Sequence, residues 1–335
     1  MILRPAAQAA GVCGGYVMLH RDHAMHPRRL MDRFRPAMAA GQAPGLLPAL
    51  RAFSGFVVGE VRTERAPVLL GRLGSLEVRL ARNSAEVRRA QKLRYRVFYK
   101  EGGAIAEPTQ IIAQRDIEAF DGFCDHLLVV DRAMRADRLP RPAPVVGTYR
   151  LLRQEVAERH GGFYSSGEFD IGGLIARHRR LRFLELGRSC VLPPYRNKRT
   201  VELLWQGIWN YVRHHSLDVM IGCASLEGTD PDRLALPLSF LHHYAPAPEA
   251  WRARALPQRH VAMNLMPKEA IDPKAALRAL PPLIKGYLRL GAYIGDGAVI
   301  DRQFGTTDVL IILPVSALNA RYIEHFTQSP DAQAA

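Results

Sequence analysis

The sequence predicts an α/β (α+β) domain in which short strands alternate with helices. Apolar residues recur with period two in several runs and with helical period in others. The 335 residues are enough to bury a sizeable core. A composition 48% hydrophobic and 23% charged is that of ordinary globular chains, which sets aside wholesale disorder and coiled coils. The longest apolar run, residues 309–315, is strand-length and carries Pro314, so no membrane-spanning helix is expected.

Residues 1–74 are rich in Ala, Gly, Pro and Arg, hold no lysine and show no sustained apolar period. They read as a basic, partly disordered extension. Residues 6–18 follow a short charged start, but Gly11, Gly14 and Gly15 break the run and no cleavage site follows, so a signal peptide is not expected. The folded domain is expected over residues 75–335. Residues 76–80 alternate like a half-buried strand, and Asn83 followed by Glu86 marks a helix start, with the helix reaching about Tyr99. Residues 127–130 and 145–152 read as strands separated by a polar turn at 136–144. Residues 184–192 form another strand, stopped by Pro193 and Pro194. A helix over about 200–215 places Val201, Leu204, Trp205, Ile208, Trp209 and Val212 on one face. Strands follow at 219–224 and 309–313, with helices between. Cys13, Cys124, Cys190 and Cys223 form no CxxC pair, which predicts neither a zinc site nor a disulfide and fits a reducing cytoplasm.

A formal net charge of +14 calls for an anionic partner: nucleic acid, an anionic lipid surface or an acidic protein. The arginines stand singly or in pairs along amphipathic segments such as 86–96 and are not clustered among aromatics. Solvated helix faces are the plainer reading, and no nucleic acid is expected.

Polar groups on apolar faces mark candidate sites. Arg94 shares a helix stripe with Val87, Ala90 and Val97, so it either meets an anionic partner or snorkels to the rim. Arg150 interrupts an apolar strand. Glu185 and Arg188 lie inside another and must pair or serve chemistry. Strict alternation puts those two on opposite faces, but Gly187 between them permits a bulge that re-aims one. Beyond the double proline, Arg196, Asn197, Lys198 and Arg199 lead into the helix at Thr200, whose free N–H groups suit a phosphate. His126 and Asp131 match the His-x4-Asp pattern of glycerolipid acyltransferases, and Glu227-Gly228-Thr229 matches their downstream motif. A five-residue offset along a strand sends the His and Asp to opposite faces, so that reading is set aside.

The runs Arg94-Tyr95-Arg96-Val97-Phe98, Phe120-Asp121-Gly122-Phe123-Cys124-Asp125-His126, Gly147-Thr148-Tyr149-Arg150 and Glu185-Leu186-Gly187-Arg188-Ser189 occur in that order. Segments about Gly286 to Ala292, Asp308 to Ile311 and Arg321 to Phe326 follow. From about residue 75 to 327 the chain resembles the acyl-carrier-protein-dependent ornithine N-acyltransferases of ornithine lipid synthesis, a group that includes hemolysin-like proteins. The resemblance implies a GNAT-like fold, a mixed, mostly antiparallel sheet flanked by helices with splayed central strands, shared with acyl-homoserine lactone synthases.

It also implies a site built on Arg94, Phe98, Asp121, Arg150, Glu185 and Arg188. The expected reaction moves a 3-hydroxyacyl group from acyl carrier protein to the α-amine of L-ornithine, giving lyso-ornithine lipid. Glu185 is the first candidate for the base, its other role being to anchor Arg188 by a buried ion pair. Backbone N–H groups from Ser189 to Val191 would stabilise the oxyanion, and Tyr244 would protonate the thiol. Arg94 or Arg150 would take the ornithine carboxylate, and Asp121 or Asp125 its side-chain ammonium. The loop Arg196 to Thr200 is poorer in glycine than the usual coenzyme A loop and suits the single phosphate of a phosphopantetheine. No permanently bound cofactor or metal is expected, since the 4'-phosphopantetheine arrives on the carrier. Expected partners are the acidic carrier, ornithine and peripherally an anionic membrane, from a cytoplasmic location at the inner membrane face. The competing readings are a related acyltransferase with another acceptor, of the homoserine-lactone-synthase kind, and a basic non-enzymatic binding module.

Overall fold

The computed structural model describes residues 69–133 and 142–318. The elements are β1 (Leu69–Leu73), β2 (Leu76–Leu80), α1 (Ser84–Arg94), α2 (Pro108–Ala113), β3 (Asp125–Asp131), β4 (Val145–Arg153), α3 (Gln154–Ala157), α4 (Ile171–Arg177) and β5 (Phe183–Val191). The chain continues through α5 (Lys198–His214), β6 (Val219–Glu227), α6 (Ala235–Tyr244), β7 (His260–Val261), α7 (Pro273–Ala279), α8 (Pro282–Leu290), β8 (Tyr293–Asp301) and β9 (Thr306–Pro314). α1 runs on into a π-helical segment, Tyr95–Glu101.

Period-two alternation builds the layers. On β3, Leu127 and Val129 pack toward the side covered by α5, while Leu128 and Val130 face Val87, Ala90 and Leu93 of α1. On β9, Val309, Ile311 and Leu313 join the first of these clusters, and Leu310 and Ile312 pack with Ile171 and Leu174 of α4. Helices on both faces explain why β3 and β9 read as nearly continuous apolar runs.

The strands form one sheet in the order β1-β2-β3-β4-β5-β6-β9-β8-β7. Every pairing is antiparallel except β5 with β6, which is parallel. That pairing is short: Phe183, Leu184 and Glu185 meet Val219, Met220 and Ile221, after which the strands continue to Val191 and Glu227 unpaired with each other. The expected mixed sheet with splayed central strands is therefore present, and the fork lies just past Glu185.

The element bounds at α5 and β1 differ from expectation. Asn83 caps α1 as expected, its side chain accepting from Glu86 N at 3.1 Å. α5 starts at Lys198, two residues early, because Asn197 accepts from Thr200 N at 3.1 Å; Val201 then falls off the buried face, at 46% exposure. β1 lies within the stretch assigned to the extension. Leu70 is buried in the core and its carbonyl accepts from Asn210 Nδ2 at 2.6 Å, so the boundary at 74/75 is corrected to include Leu69–Leu73. Residues 1–68, most of the turn at 136–144 and the run Arg321 to Phe326 lie outside the described residues. Cys124, Cys190 and Cys223 are free thiols. Among the described residues no helix is long and apolar enough to cross a membrane.

Candidate active site

Arg94 is fully buried at the end of α1, and a charge there must be met in place. Its Nη1 and Nη2 donate to Asp121 at 2.8 and 2.6 Å, Nη2 also donates to the Asp116 carbonyl at 2.6 Å, and Nε lies 2.7 Å from Asp116 Oδ2. Arg188 Nε is 3.4 Å from the same Asp116 oxygen, and Arg188 also bonds Glu118. The other oxygen of Glu118 accepts from Arg150, whose Nη1 is 3.9 Å from Asp121. Each of Asp116, Glu118 and Asp121 thus touches two of Arg94, Arg150 and Arg188, in a closed ring of alternating charge. Burial opposes ionisation of Asp121 and Glu118, but the arginines outweigh it and hold both carboxyls below the ordinary range.

Arg188 joins this ring because β5 carries one residue more than β4 between the pairs Arg150–Gly187 and Thr148–Cys190. The permitted bulge is realised, with Arg188 itself in the left-handed region at φ +50°. Glu185 and Arg188 consequently meet one residue, Tyr164, from different sides. Tyr164 N donates to Glu185 at 2.9 Å, while the Tyr164 ring lies 5.1 Å from the Arg188 guanidinium and 5.4 Å from that of Arg150. Phe304 lies 4.8 Å from Arg188 and meets Phe98 edge-on at 5.8 Å.

Several assigned roles do not match these contacts. Glu185 forms no ion pair with Arg188: its oxygens accept from Tyr164 N, from Ser165 N at 2.7 Å and from Ser165 Oγ, so it fastens the turn Tyr164–Gly167. Arg94 and Arg150 are buried and paired, which leaves neither open to a substrate carboxylate. Asp121 is engaged by Arg94 and by Gln91 Nε2 at 2.9 Å. Asp125 stands apart, bonded by the Tyr211 hydroxyl and 3.7 Å from Arg153. Tyr244 stacks on Phe240 at 4.9 Å with Lys268 over its ring, and touches none of the groups at the bulge. His126 and Asp131 bond separate partners, the Asp121 carbonyl and the Tyr195 hydroxyl, so they form no relay.

The basic loop does precede α5, but its members differ. Arg196 is tied to the Val191 carbonyl and Glu101, both at 2.9 Å. Asn197 and Thr200 are consumed by the helix cap and Thr200 is buried. Lys198 and Arg199 project outward. Ser189 bonds Tyr149 on the neighbouring strand.

Across the fork lies a second group that the sequence did not disclose. Oxygens of Glu168, Asp301 and Asp308 come within 4.8 Å of one another, and Cys223 on β6 donates from Sγ to Glu168 at 3.2 Å. Burial first, and then the Asp308 charge, raises the Glu168 carboxyl. Burial also raises Asp308; hydrogen bonds from Ser225 and Thr306 offset part of that, and Asp301 adds to it. Among the described residues, the one cation in an ion pair with this cluster is Arg259, 3.3 Å from Glu168 and 35% exposed at its side chain. Such a set of oxygens suits a compact cation, a substrate ammonium or a hard metal ion. The ring of arginines is charge-balanced; the acidic cluster is not.

The acetyltransferase (GNAT) domain family matches residues 93–206, from the end of α1 into α5. A protein named L-ornithine N(alpha)-acyltransferase from Brucella abortus is 58% identical over 259 residues, 77% of this chain and 91% of its own. One of the same name from Rhodobacter capsulatus is 42% identical over 254 residues, 76% of this chain and 95% of its own. Among solved structures, the N-acyl amino acid synthase FeeM from uncultured soil microbes covers 78% of this chain and 98% of its own, with 10% identity and a TM-score of 0.38.

Proposed function

The chain belongs to the L-ornithine N(alpha)-acyltransferase family, and from that premise we propose that it moves a 3-hydroxyacyl group from the phosphopantetheine thiol of an acyl carrier protein to the α-amine of L-ornithine. The observation that supports this reading is the fork between β5 and β6, flanked on one side by a neutral arginine ring and on the other by an acidic cluster short of cations.

An amino acid with two ammonium groups and one carboxylate fits that asymmetry. Asp301 and Asp308 hold the side-chain ammonium. Arg259, beside Glu168, takes the carboxylate, which brings the α-ammonium to Glu168. A carboxyl raised above its ordinary value is a better match to an ammonium than an unperturbed one, so Glu168 accepts the first proton. The freed amine attacks the thioester carbonyl, the C–N bond forms, and backbone N–H groups of the stretch from Ser189 to Val191, which pairs with β4 but not with β6, stabilise the oxyanion. As the C–S bond breaks, the second amine proton replaces the one that the Tyr164 hydroxyl gives to the departing thiolate. Burial pushes that hydroxyl up to about 12, which keeps it protonated until then. Lys198, Arg199 and the first N–H groups of α5 receive the phosphate. Glu185 fastens the turn that carries Tyr164 and leads to Glu168.

Incubation with 3-hydroxyacyl carrier protein and a panel of amino acids, read by mass spectrometry, tests the proposal. Acylated ornithine with release of free carrier thiol is expected. Equal turnover of the coenzyme A thioester would overturn the donor assignment, and preference for another amino acid would overturn the placement of the acidic cluster.

A further inference from the structure

Four of the large hydrophobic side chains that the described residues leave exposed fall within one short stretch: Ile105 at 68%, Ile111 at 51%, Ile112 at 85% and Ile117 at 39%. They lie on and around α2, a helix of one and a half turns that turns Gln110 inward and Ile111 and Ile112 outward. Exposed apolar side chains concentrated in this way mark a contact surface.

The adjoining surface is cationic. Arg88, Lys92, Arg96 and Lys100 are all exposed and recur every fourth residue along α1 and its π-helical continuation, and no acidic residue occurs from 87 to 100. Glu101, which pairs with Arg96 at 3.2 Å, is the first. The two surfaces are joined: Gln114 Nε2 donates to the Tyr95 hydroxyl at 3.2 Å, Arg115 donates to Gln91 at 3.3 Å, and Asp116 N donates to the Gln91 carbonyl at 3.1 Å. Tyr95 and Gln91 are the immediate neighbours of Arg96 and Lys92.

We propose that this face, an isoleucine knuckle beside a row of cations, docks on the surface of an anionic lipid bilayer. Exposed isoleucines supply apolar area for the acyl boundary, and lysine and arginine beside them face anionic headgroups; interfacial binding scales with both. The proposed function places the acidic carrier at Lys198 and Arg199, which leaves this face to a bilayer, whose apolar layer and anionic headgroups match the isoleucines and the cations together. The location accords with the function proposed above: Ile117 lies between Asp116 and Glu118 of the arginine ring, so a docked face would leave the site beside the membrane that an acylated amino acid must enter. The docking itself stands on the surface alone.

The test is co-sedimentation of the full chain with vesicles of phosphatidylcholine alone and of phosphatidylcholine mixed with phosphatidylglycerol, for the wild type, Ile111→Ser/Ile112→Ser and Lys92→Gln/Lys100→Gln. Partitioning should favour the mixed vesicles, and each double variant should weaken it by about tenfold or more. The isoleucine variant should lose binding at every salt concentration, while the lysine variant should lose the salt-sensitive part. Turnover of the carrier-bound substrate in the absence of lipid should be unchanged in both. Wild-type partitioning in both folded variants, or no wild-type partitioning at all, overturns the proposal. A variant that changes the oligomeric state alone shows that a second copy covers the patch, and one that loses soluble turnover alone shows that the isoleucines hold the acyl chain; either result replaces the bilayer. Absence of turnover in the wild type would remove the proposed function and leave the vesicle result intact.

Discussion

Arg188 sits at φ +50°, a backbone conformation that costs a non-glycine residue about 1–2 kcal/mol. The ion pairs to Asp116 and Glu118 and the rings of Tyr164 and Phe304 offset that cost by fixing the guanidinium over the site. Glu185 lies before the bulge and fastens the turn at Tyr164, the proposed function assigns base chemistry to Glu168, and the two assignments separate by experiment. Glu185→Gln puts an NH2 group against N–H donors of Tyr164 or Ser165, so stability should fall by about 1–3 kcal/mol while the acid limb of the kcat/KM profile for ornithine is retained. Glu168→Gln should remove that limb, which lies above the ordinary carboxylate range, and lower kcat/KM by about 10²–10⁴ without a comparable loss of stability. Retention of the limb in Glu168→Gln, or its loss in Glu185→Gln, would reverse the roles. Glu185 was legible in the sequence because a charge inside Phe183–Val191 breaks an apolar run. Glu168 was not, since it follows Ser165-Ser166-Gly167 and reads as an ordinary polar loop; only the fold brings it to Asp308, on a strand 140 residues away.

The fork between β5 and β6 has a residue at its base. A Cβ on Gly222 would overlap the Leu186 carbonyl oxygen, so glycine is what allows the two strands to touch immediately beyond their last pair. Gly222→Ala should cost about 1–3 kcal/mol in urea unfolding and should change KM for the carrier substrate, because the strands must separate lower down. A change in stability with no change in that KM would place phosphopantetheine elsewhere. β1 makes a second prediction at this scale. A chain starting after residue 74 lacks Leu70, which is buried, and the acceptor for Asn210; it should lose about 2–5 kcal/mol relative to the full chain, measured by urea unfolding. Equal stability would mean that β1 contributes nothing to the core. Strongly periodic elements such as β2 and α5 were legible because side-chain alternation and helical spacing act locally. β1 was not, because Gly71 interrupts it and Gly74 follows its end; the Val78 side chain and the end of Gln206 pack against Gly71, a tertiary cause. β8 was hidden in the same way by Gly295, Gly297 and the irregular pairing between Ile294 and Ala298.

For the molecule as a whole, buried titratable groups pull stability in opposite directions as pH falls. Burial pushes the His126 imidazole from 6.5 down to about 4, with Asp121 pulling the other way. Between those values the unfolded chain binds a proton that the folded protein refuses, so stability is lost as pH falls through this window. Glu168 and Asp308 act with the other sign. Raised in the fold, they take up protons before the unfolded chain does, and stability is lost as pH rises through their folded values. Glu118 and Asp121, held low by the arginines, stabilise the fold above the ordinary carboxylate range and lose that contribution as pH falls through that range, at the foot of the His126 window and below it. Among the described residues, the loss from His126 between pH 7.5 and 5, to which the lowered His242 adds, is opposed by the acidic cluster. His126→Gln keeps a donor for the Asp121 carbonyl and has nothing to titrate, so its loss of unfolding free energy between pH 7.5 and 5 should be smaller than that of the wild type by about 2 kcal/mol. Glu168→Gln removes the opposing uptake and should steepen the same loss. Urea unfolding at the two pH values measures both, and parallel curves for wild type and His126→Gln would show that the ring takes up its proton in the folded protein as readily as in the unfolded chain.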